Sequence, residues 1–160
     1  MDSFAVREAV LEDAQGISEV LQEIAAAGKR KKRCDVDFAR EHYVADPDRI
    51  RCSVAVQGEQ ILGFQSLKWA VENNPYGAPA GWGVIGTHIR PSAARRGVGR
   101  ALFRATLLAA QESGLSAIDA TISPTNAEGL AFYSAMGFVD YRQHDGARCK
   151  CFSVTRGREP

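Results

Sequence analysis

The chain has 160 residues, of which 45% are hydrophobic and 24% are charged, and its formal net charge is +1. This length predicts one domain, residues 1–160, with a substantial core. The nearly neutral charge gives no reason to expect nucleic acid or a membrane surface as a partner. Because it has neither a long apolar run nor a basic-then-apolar leader, the sequence predicts a cytoplasmic protein.

Apolar periodicity and turn residues divide the chain into seven strands and four helices, ordered β-α-α-β-β-β-α-β-α-β-β. In chain order they are a strand at residues 4–7, a helix at 11–27, a helix between Asp35 and Asp46, strands at 50–57, 60–69 and 83–90, a helix at 98–113, a strand at 115–123, a helix reaching Met136, and strands at 138–142 and 149–155. This order predicts one α/β (or α+β) domain with a mixed sheet.

Glycines mark several of the predicted element ends. Gly28, Gly114 and Gly137 stand where three helices would stop, since glycine accepts the left-handed conformation of a C-terminal cap. Gly58-Glu59 is a hairpin signal between two strands. Residues 71–82 are rich in Asn, Pro and Gly, and they predict a loop longer than a hairpin needs.

The placement of cysteine and histidine argues against a metal site. The four cysteines, Cys34, Cys52, Cys149 and Cys151, form no C-x-x-C pair, and the three histidines are scattered. Cys149 and Cys151 would point to the same face of one strand, which suits buried thiols in a reducing compartment.

The most informative stretch is Ala94-Arg95-Arg96-Gly97-Val98-Gly99-Arg100, which opens an amphipathic helix. Unpaired amides at a helix N-terminus attract phosphate, glycines let it approach the backbone, and the two arginines add charge. A pyrophosphate cradle and a tight turn without a ligand both explain the glycines. Leu102 replaces the third glycine of G-x-G-x-x-G, which argues against a dinucleotide site, and no P-loop Gly-Lys-Ser/Thr follows. The apolar face of the helix is predicted to consist of Val98, Ala101, Leu102, Ala105, Leu108 and Ala109.

A second motif lies further along the chain, at Asn126-Ala127-Glu128-Gly129-Leu130-Ala131-Phe132-Tyr133-Ser134-Ala135-Met136-Gly137-Phe138. Together with Arg95-Arg96-Gly97-Val98-Gly99, it resembles the GCN5-related N-acetyltransferase superfamily. The first stretch is similar to that family's coenzyme A loop, Q/R-x-x-G-x-G/A, and the second to its N-x-x-A-x-x-F/L-Y-x-x-x-G-F segment. The element order is also similar from Phe4 to Thr155. The long loop before the fourth strand gives a weaker resemblance to the amino-acid and phosphinothricin acetyltransferase branch.

This resemblance implies a mixed, mostly antiparallel, seven-stranded sheet that splays between its fourth and fifth strands, with four helices. It implies an N-acetyltransferase that moves the acetyl group of acetyl-CoA to an amine by direct attack in a ternary complex. The residues that it assigns to coenzyme contacts are Thr87, His88, Ile89, Arg95, Arg96, Gly97, Val98, Gly99, Arg100, Asn126 and Tyr133. Tyr133 would also protonate the departing thiolate. The alternatives are a core role for Tyr133 and a helix-capping role for Asn126, within a capping box at Thr125–Glu128.

Three departures from the family pattern stand out. Ala94 replaces the usual Gln or Arg, Gly129 replaces a small alanine, and the fourth strand lacks the glutamate that acts as the base in many relatives. His88 is the nearest titratable candidate for that base, with a contribution from its backbone alone as the alternative. Glu72 and Asp119 are weaker candidates, and proton loss through ordered water needs none of them.

By the same resemblance, the acceptor is expected near two segments, the basic run Lys29–Arg33 and the last hairpin at residues 144–148. The basic run is either a solvated loop or an attraction for an acidic acceptor such as an amino acid. Trp69, Tyr76 and Trp82 in and beside the long loop could form an aromatic lid, and an ordinary surface loop is the alternative.

The primary expectation is therefore an enzyme that acetylates a small amine. Protein or peptide amines are the alternative acceptors within the same fold. A non-catalytic acyl-CoA-binding or sensing domain is a second alternative, favoured by the missing glutamate and opposed by Tyr133. The near-neutral charge opposes a nucleic-acid-binding module that would use Lys29–Arg33. The exposed strands could also pair two copies as a homodimer.

Overall fold

The computed structural model describes residues 3–154, which form one sheet with helices on both faces. Its strands are β1 (Ala5–Glu8), β2 (Arg49–Gln57), β3 (Gln60–Trp69), β4 (Gly83–Ile89), β5 (Ala117–Ile122), β6 (Val139–His144) and β7 (Ala147–Ser153). Its helices are α1 (Ala14–Ala26), α2 (Val36–Ala39), α3 (Val98–Glu112) and α4 (Ala127–Met136). Short 3-10 turns precede α1 and α3, and a π-helical turn, Arg40–Val44, extends α2. Within the described residues, no helix is long and apolar enough to cross a membrane.

The strands lie in the order β1-β2-β3-β4-β5-β7-β6, and all neighbours are antiparallel except β4 and β5. That parallel pair is short, because only Gly83 and Val84 of β4 have partners on β5. Beyond Val84, β4 continues to Ile89 alongside β3 alone, so the two halves of the sheet diverge. The mixed sheet, its splay and the four helices confirm the predicted fold.

Strand β3 is the centre of the core. Every residue from Ile61 to Leu67 is buried, because one face of β3 meets α1 and the π-helical turn and the other meets α3. Phe64 packs against Tyr43 on the first face. The next residue, Gln65, contacts Thr106 of α3 on the opposite face. The sheet is therefore the middle layer of a three-layer structure.

The predicted helix ends and hairpin turn are confirmed. Gly28, Gly114 and Gly137 follow α1, α3 and α4 with φ angles of +78°, +72° and +109°. Gln57 pairs with Gln60 across the Gly58-Glu59 turn. These local turn signals therefore place the ends of the core elements.

The two N-terminal helices differ from the prediction. Helix α1 begins at Ala14 instead of residue 11, because the Asp13 carboxylate accepts hydrogen bonds from the Val10 amide and the Arg7 guanidinium and holds the preceding turn. The second helix begins as predicted, with Asp35 accepting a hydrogen bond from the Phe38 amide, but then widens into the π-helical turn.

One expectation about α3 differs from the structure, and one about the last strand lies outside the described residues. Leu108, predicted on the apolar face of α3, is 56% exposed, and Thr106 is buried on that face instead. Strand β7 ends at Ser153, and Thr155, which the sequence pattern includes in that strand, lies outside the described residues.

The predicted loop between β3 and β4 is anchored to β6. The Arg142 guanidinium donates to the Tyr76 carbonyl at 2.9 Å, and a ring nitrogen of His144 lies 3.1 Å from the Pro75 carbonyl. The Asn74 side-chain oxygen accepts from two loop amides, which closes the loop on itself. The loop therefore has a defined structure, held by its own hydrogen bonds and by its contacts with β6.

Candidate active site

The splay brings two hydroxyl groups together at the opening between the halves of the sheet. Thr87 projects from the part of β4 that has no partner on β5, and Tyr133 projects from α4. Their side-chain oxygens are 2.7 Å apart. Phe132 and Phe138 pack against the Tyr133 ring, each with centroids 5.1 Å away, and hold its position.

Tyr133 is suited to hold a proton. The residue is only 6% exposed, and burial raises the pKa of its phenol because the anion would lose hydration. The hydroxyl and peptide N–H of Thr87 partly oppose that shift, since both stabilise the phenolate and lower the pKa. At neutral pH, Tyr133 therefore carries its proton and faces groups that can stabilise its anion.

A buried polar chain lies behind this pair. The Gln65 amide donates to the Thr87 hydroxyl at 2.9 Å, and the Thr106 hydroxyl donates to the Gln65 carbonyl oxygen. Both Gln65 and Thr106 are fully buried. Neither residue was predicted from the sequence, although each is a polar residue among buried, mostly apolar neighbours: Thr106 follows Val98 and Leu102 at four-residue spacing.

His88, the residue that the sequence suggests as the base, lies on the opposite face of β4. Its ring stacks on Phe64 with centroids 4.8 Å apart, and Tyr43 packs against it edge-on at 5.6 Å. Burial lowers the pKa of His88 to about 3, helped by the positive charges of Arg30 and Lys32. Its Nδ1 is buried and has no hydrogen-bond partner within residues 3–154. The imidazole is therefore neutral and a weak base in the free protein.

The two weaker base candidates lie in different surroundings. The Asp119 carboxylate is fully buried and accepts hydrogen bonds from Tyr141, Arg142 and Thr121. The ion pair with Arg142 joins β5 to β6, and the three donors occupy the carboxylate oxygens. Glu72 is exposed on the loop between β3 and β4.

The glycine motif forms the predicted strand-to-helix cradle. Arg95 and Gly97 both have left-handed backbones, with φ of +65° and +80°, and Gly97 is the N-cap of α3. No side chain within residues 3–154 caps this helix, so its first-turn amides remain available to an anion. A Cβ at Gly97 would enter open space, whereas one at Gly99 would lie 2.7 Å from the Phe132 ring. Gly97 therefore shapes the cradle, and Gly99 permits the contact between α3 and α4.

Asn126 caps α4 at the edge of the opening. Its side-chain oxygen accepts from the Gly129 amide at 3.0 Å, which makes Asn126 the N-cap. The predicted capping box of Thr125 and Glu128 is therefore wrong, and Glu128 instead pairs with Lys29 at 2.9 Å. A Cβ at Gly129 would lie 2.6 Å from the Asn126 amide nitrogen, so a larger residue there requires the Asn126 side chain to shift.

An open cavity of about 250 Å³ adjoins the point where the splay begins. Val84, the last β4 residue paired with β5, lines it together with His42 of the π-helical turn. Lys68 and Asp46 form an ion pair in its wall, with side chains only 15% and 12% exposed. Trp69 and Tyr76 also line it. Trp82, the third aromatic residue of the predicted lid, packs near Tyr141 instead, with ring centroids 5.5 Å apart.

The basic run between α1 and α2 is held mainly by local contacts. Lys29 pairs with Glu128, Arg33 pairs with Asp35 at 2.8 Å, and Arg30 donates to the Arg33 carbonyl. The last hairpin contacts the long loop through His144 and is not among the residues that line the cavity.

Comparisons with known proteins agree with this geometry. The model of the acetyltransferase (GNAT) family matches residues 15–138. The mycothiol acetyltransferase of Paenarthrobacter aurescens (strain TC1) is 30% identical over 107 residues, and the match covers 67% of this chain but only 32% of that relative's length. The coenzyme A complex of PaiA N-acetyltransferase from Thermoplasma acidophilum shares the fold, with a TM-score of 0.73, 17% identity and coverage of 94% and 99% of the two chains. A structure assigned to a phosphinothricin N-acetyltransferase also shares it, with a TM-score of 0.72, 16% identity and coverage of 95% and 99%.

The family model spans most of the chain, from α1 to the end of α4. The chain therefore belongs to the acetyltransferase (GNAT) family, and the predicted family is confirmed. Acetyl-CoA is the co-substrate of this family. The uncapped start of α3, the unpaired segment of β4 and the open space at Gly97 fit its pyrophosphate and extended arm.

Proposed function

We propose that this chain works as a single domain that transfers the acetyl group of acetyl-CoA to the amine of a small molecule, by direct attack in a ternary complex. The observation that carries the proposal is the pair of hydroxyl groups, Thr87 and Tyr133, at the opening between β4 and β5. A proton donor at that place is what the departing thiolate requires.

The binding roles follow from the backbone. The amides of residues 95–100 would hold the pyrophosphate, and the guanidinium groups of Arg95 and Arg96 would add charge. Main-chain groups of residues 87–89 would pair with the pantetheine arm, because β4 has no strand partner on that side. Asn126, fixed as the N-cap of α4, would contact the arm from the facing loop.

The proton balance assigns one task to each hydroxyl group. When bound, acetyl-CoA supplies a thioester whose carbonyl carbon takes the lone pair of the amine while the carbon–sulfur bond breaks. Tyr133 gives its proton to the sulfur, and Thr87 stabilises the resulting phenolate. The surplus proton of the amine leaves through solvent, because the pKa of His88 is lowered to about 3 and Asp119 is held by Arg142. Solvent later returns a proton to Tyr133.

The cavity beside Val84 is our proposed acceptor site. Its volume of about 250 Å³ is small for a ligand pocket and favours a small amine over a folded protein segment. Asp46, Lys68 and His42 provide polar groups, and Trp69 and Tyr76 provide apolar surface for an acceptor that carries both.

An amine-panel assay tests this function. The purified chain is incubated with acetyl-CoA and small amines, including amino acids, while free thiol is measured. We expect thiol release that depends on one class of amine and on the protein. Tight coenzyme A binding without thiol release for any amine, peptides included, would contradict the proposal and support an acyl-CoA-sensing domain.

A further inference from the structure

The hydrogen-bonded chain behind the candidate active site runs in one direction. Thr106 donates to the carbonyl oxygen of Gln65, so the Gln65 amide nitrogen faces the Thr87 hydroxyl and donates to it at 2.9 Å. Gln65 is held in this orientation because its two ends have different partners and both are buried. A flipped side chain would leave the Thr106 hydroxyl proton without its acceptor, so the observed orientation is favoured.

The orientation of Gln65 affects which hydrogen bonds the Thr87 hydroxyl can make. Its oxygen already accepts from Gln65, and its one remaining partner within the described residues is the Tyr133 oxygen at 2.7 Å. If Thr87 donates its proton to that oxygen, the Tyr133 proton is left to point elsewhere. Either oxygen of this pair can be the donor, and if Tyr133 donated to Thr87 instead, the Thr87 proton would face the opening and the phenol would hold its proton away from it.

We propose that Thr106 and Gln65 are positioning residues that fix Thr87 as a hydrogen-bond donor to Tyr133. The hydroxyl proton of Tyr133 then points into the opening, and the hydrogen bond from Thr87 stabilises the phenolate oxygen after that proton has left. This inference rests on the proposed function for its role in catalysis, whereas the direction of the hydrogen bonds is a property of the free protein. Each hydrogen bond in the series Thr106–Gln65–Thr87 polarises the next one and strengthens the hydrogen bond between Thr87 and Tyr133. A change at Thr106 therefore affects Tyr133 without direct contact.

The test measures the acidity of the phenol in the free protein. A fluorinated tyrosine, whose phenol is more acidic, replaces the tyrosines, and fluorine NMR follows each titration. Tyr133→Phe identifies the resonance of position 133. We expect Thr106→Val and Gln65→Met to raise the pKa of that phenol by about half a unit or more, because the phenolate loses stabilisation. Thr106→Ser keeps the donor and should leave the pKa unchanged.

A matched control is Thr121→Val, which removes a half-buried hydroxyl that donates to Asp119 and lies outside the hydrogen-bonded chain of Thr106, Gln65 and Thr87. It should not change the titration at position 133. An unchanged or lowered phenol pKa in both Thr106→Val and Gln65→Met would overturn the inference.

Turnover separates this inference from the proposed function. We expect Thr106→Val to lower kcat about tenfold with an unchanged KM for acetyl-CoA, and Thr106→Ser to restore it. If Tyr133→Phe keeps full turnover, the acid role of Tyr133 is contradicted, but the titration still reports the direction of the hydrogen bonds from Thr106 to Tyr133. If Tyr133→Phe loses turnover but the titrations do not move, only the inference about Thr106 and Gln65 fails.

Discussion

His88 and Tyr133 show how burial assigns different states to two titratable residues near the opening. Burial disfavours the charged form of both, so it lowers the pKa of the imidazole and raises that of the phenol. Both side chains are therefore neutral near pH 7. Tyr133 then has a proton to give, whereas His88 has little affinity for one. The same burial that suits Tyr133 to acid catalysis makes His88 a poor base.

The lowered pKa values of His42 and His88 predict that the stability of the fold depends on pH. The pKa of His42 is lowered to about 4 and that of His88 to about 3, so between pH 7.5 and 5 the unfolded chain takes up protons that the folded chain does not. Stability is therefore lost as the pH falls, by about 2 kcal/mol for each histidine. His88→Phe, which keeps a ring against Phe64, should remove about half of this loss. Urea unfolding at both pH values measures it, and an equal loss in the variant would contradict the assigned pKa.

At the scale of elements, α3 connects the cradle to the hydroxyl pair of Thr87 and Tyr133. Its N-terminus carries Gly97, its first turn packs against α4 through Gly99 and Phe132, and Thr106 in its middle reaches Gln65. A salt bridge fixes the approach to this helix, since Glu23 of α1 accepts from Arg90 at 2.9 Å and from the Ser92 amide at 2.8 Å. One helix therefore shapes both the glycine cradle and the surroundings of Tyr133.

Two glycine substitutions distinguish an effect on coenzyme binding at the cradle from an effect on the stability of α3. Gly97 and Gly114 flank the helix with φ of +80° and +72°, and a Cβ at either would enter open space. Alanine at either position should cost about 1–2 kcal/mol of stability through backbone strain. Only Gly97→Ala should weaken coenzyme A binding, by about tenfold or more, because it displaces the amides that we propose as the phosphate-binding groups. Calorimetric titration of both variants checks this, and equal affinities would remove Gly97 from the cradle.

The parts of the fold that follow from local signals could be predicted from the sequence. Gly28, Gly114 and Gly137 mark the helix ends, and the second motif contains Tyr133 of the opening. The contacts of Gln65 with Thr87 and Thr106 could not be predicted, because they join residues 22 and 41 positions apart in the chain. The π-helical turn and the ion pair of Lys68 with Asp46 also depend on packing between distant segments.

At the scale of the whole molecule, the sheet consists of two halves joined by one short parallel pair. The β1–β4 half carries Thr87, and the β5–β7 half with α4 carries Tyr133. Lys29 and Glu128 add an ion pair between the segment after α1 and α4, but both side chains are largely exposed, so this pair adds little stability. A ligand within the opening would contact both halves and bind the folded state alone.

Coenzyme A should therefore stabilise the whole domain and protect a defined set of amides. At one hundred times its dissociation constant we expect about 2.7 kcal/mol of added stability. Hydrogen exchange should slow at residues 85–89 and 95–100, with little local change at the edge strands β1 and β6. Thermal unfolding and amide exchange measure the two effects. Stabilisation with protection confined to other segments would place the coenzyme elsewhere.

The most direct test of Tyr133 as the acid is the turnover of Tyr133→Phe with its best amine. We expect kcat to fall about a hundredfold or more, because the thiolate must leave without a proton donor, while the dissociation constant for acetyl-CoA stays unchanged. The Tyr43→Phe variant, which changes a tyrosine packed against Phe64 on the other face, is the control for loss of a buried hydroxyl. Turnover of Tyr133→Phe equal to that of the unaltered chain would contradict the assignment of Tyr133 as the acid.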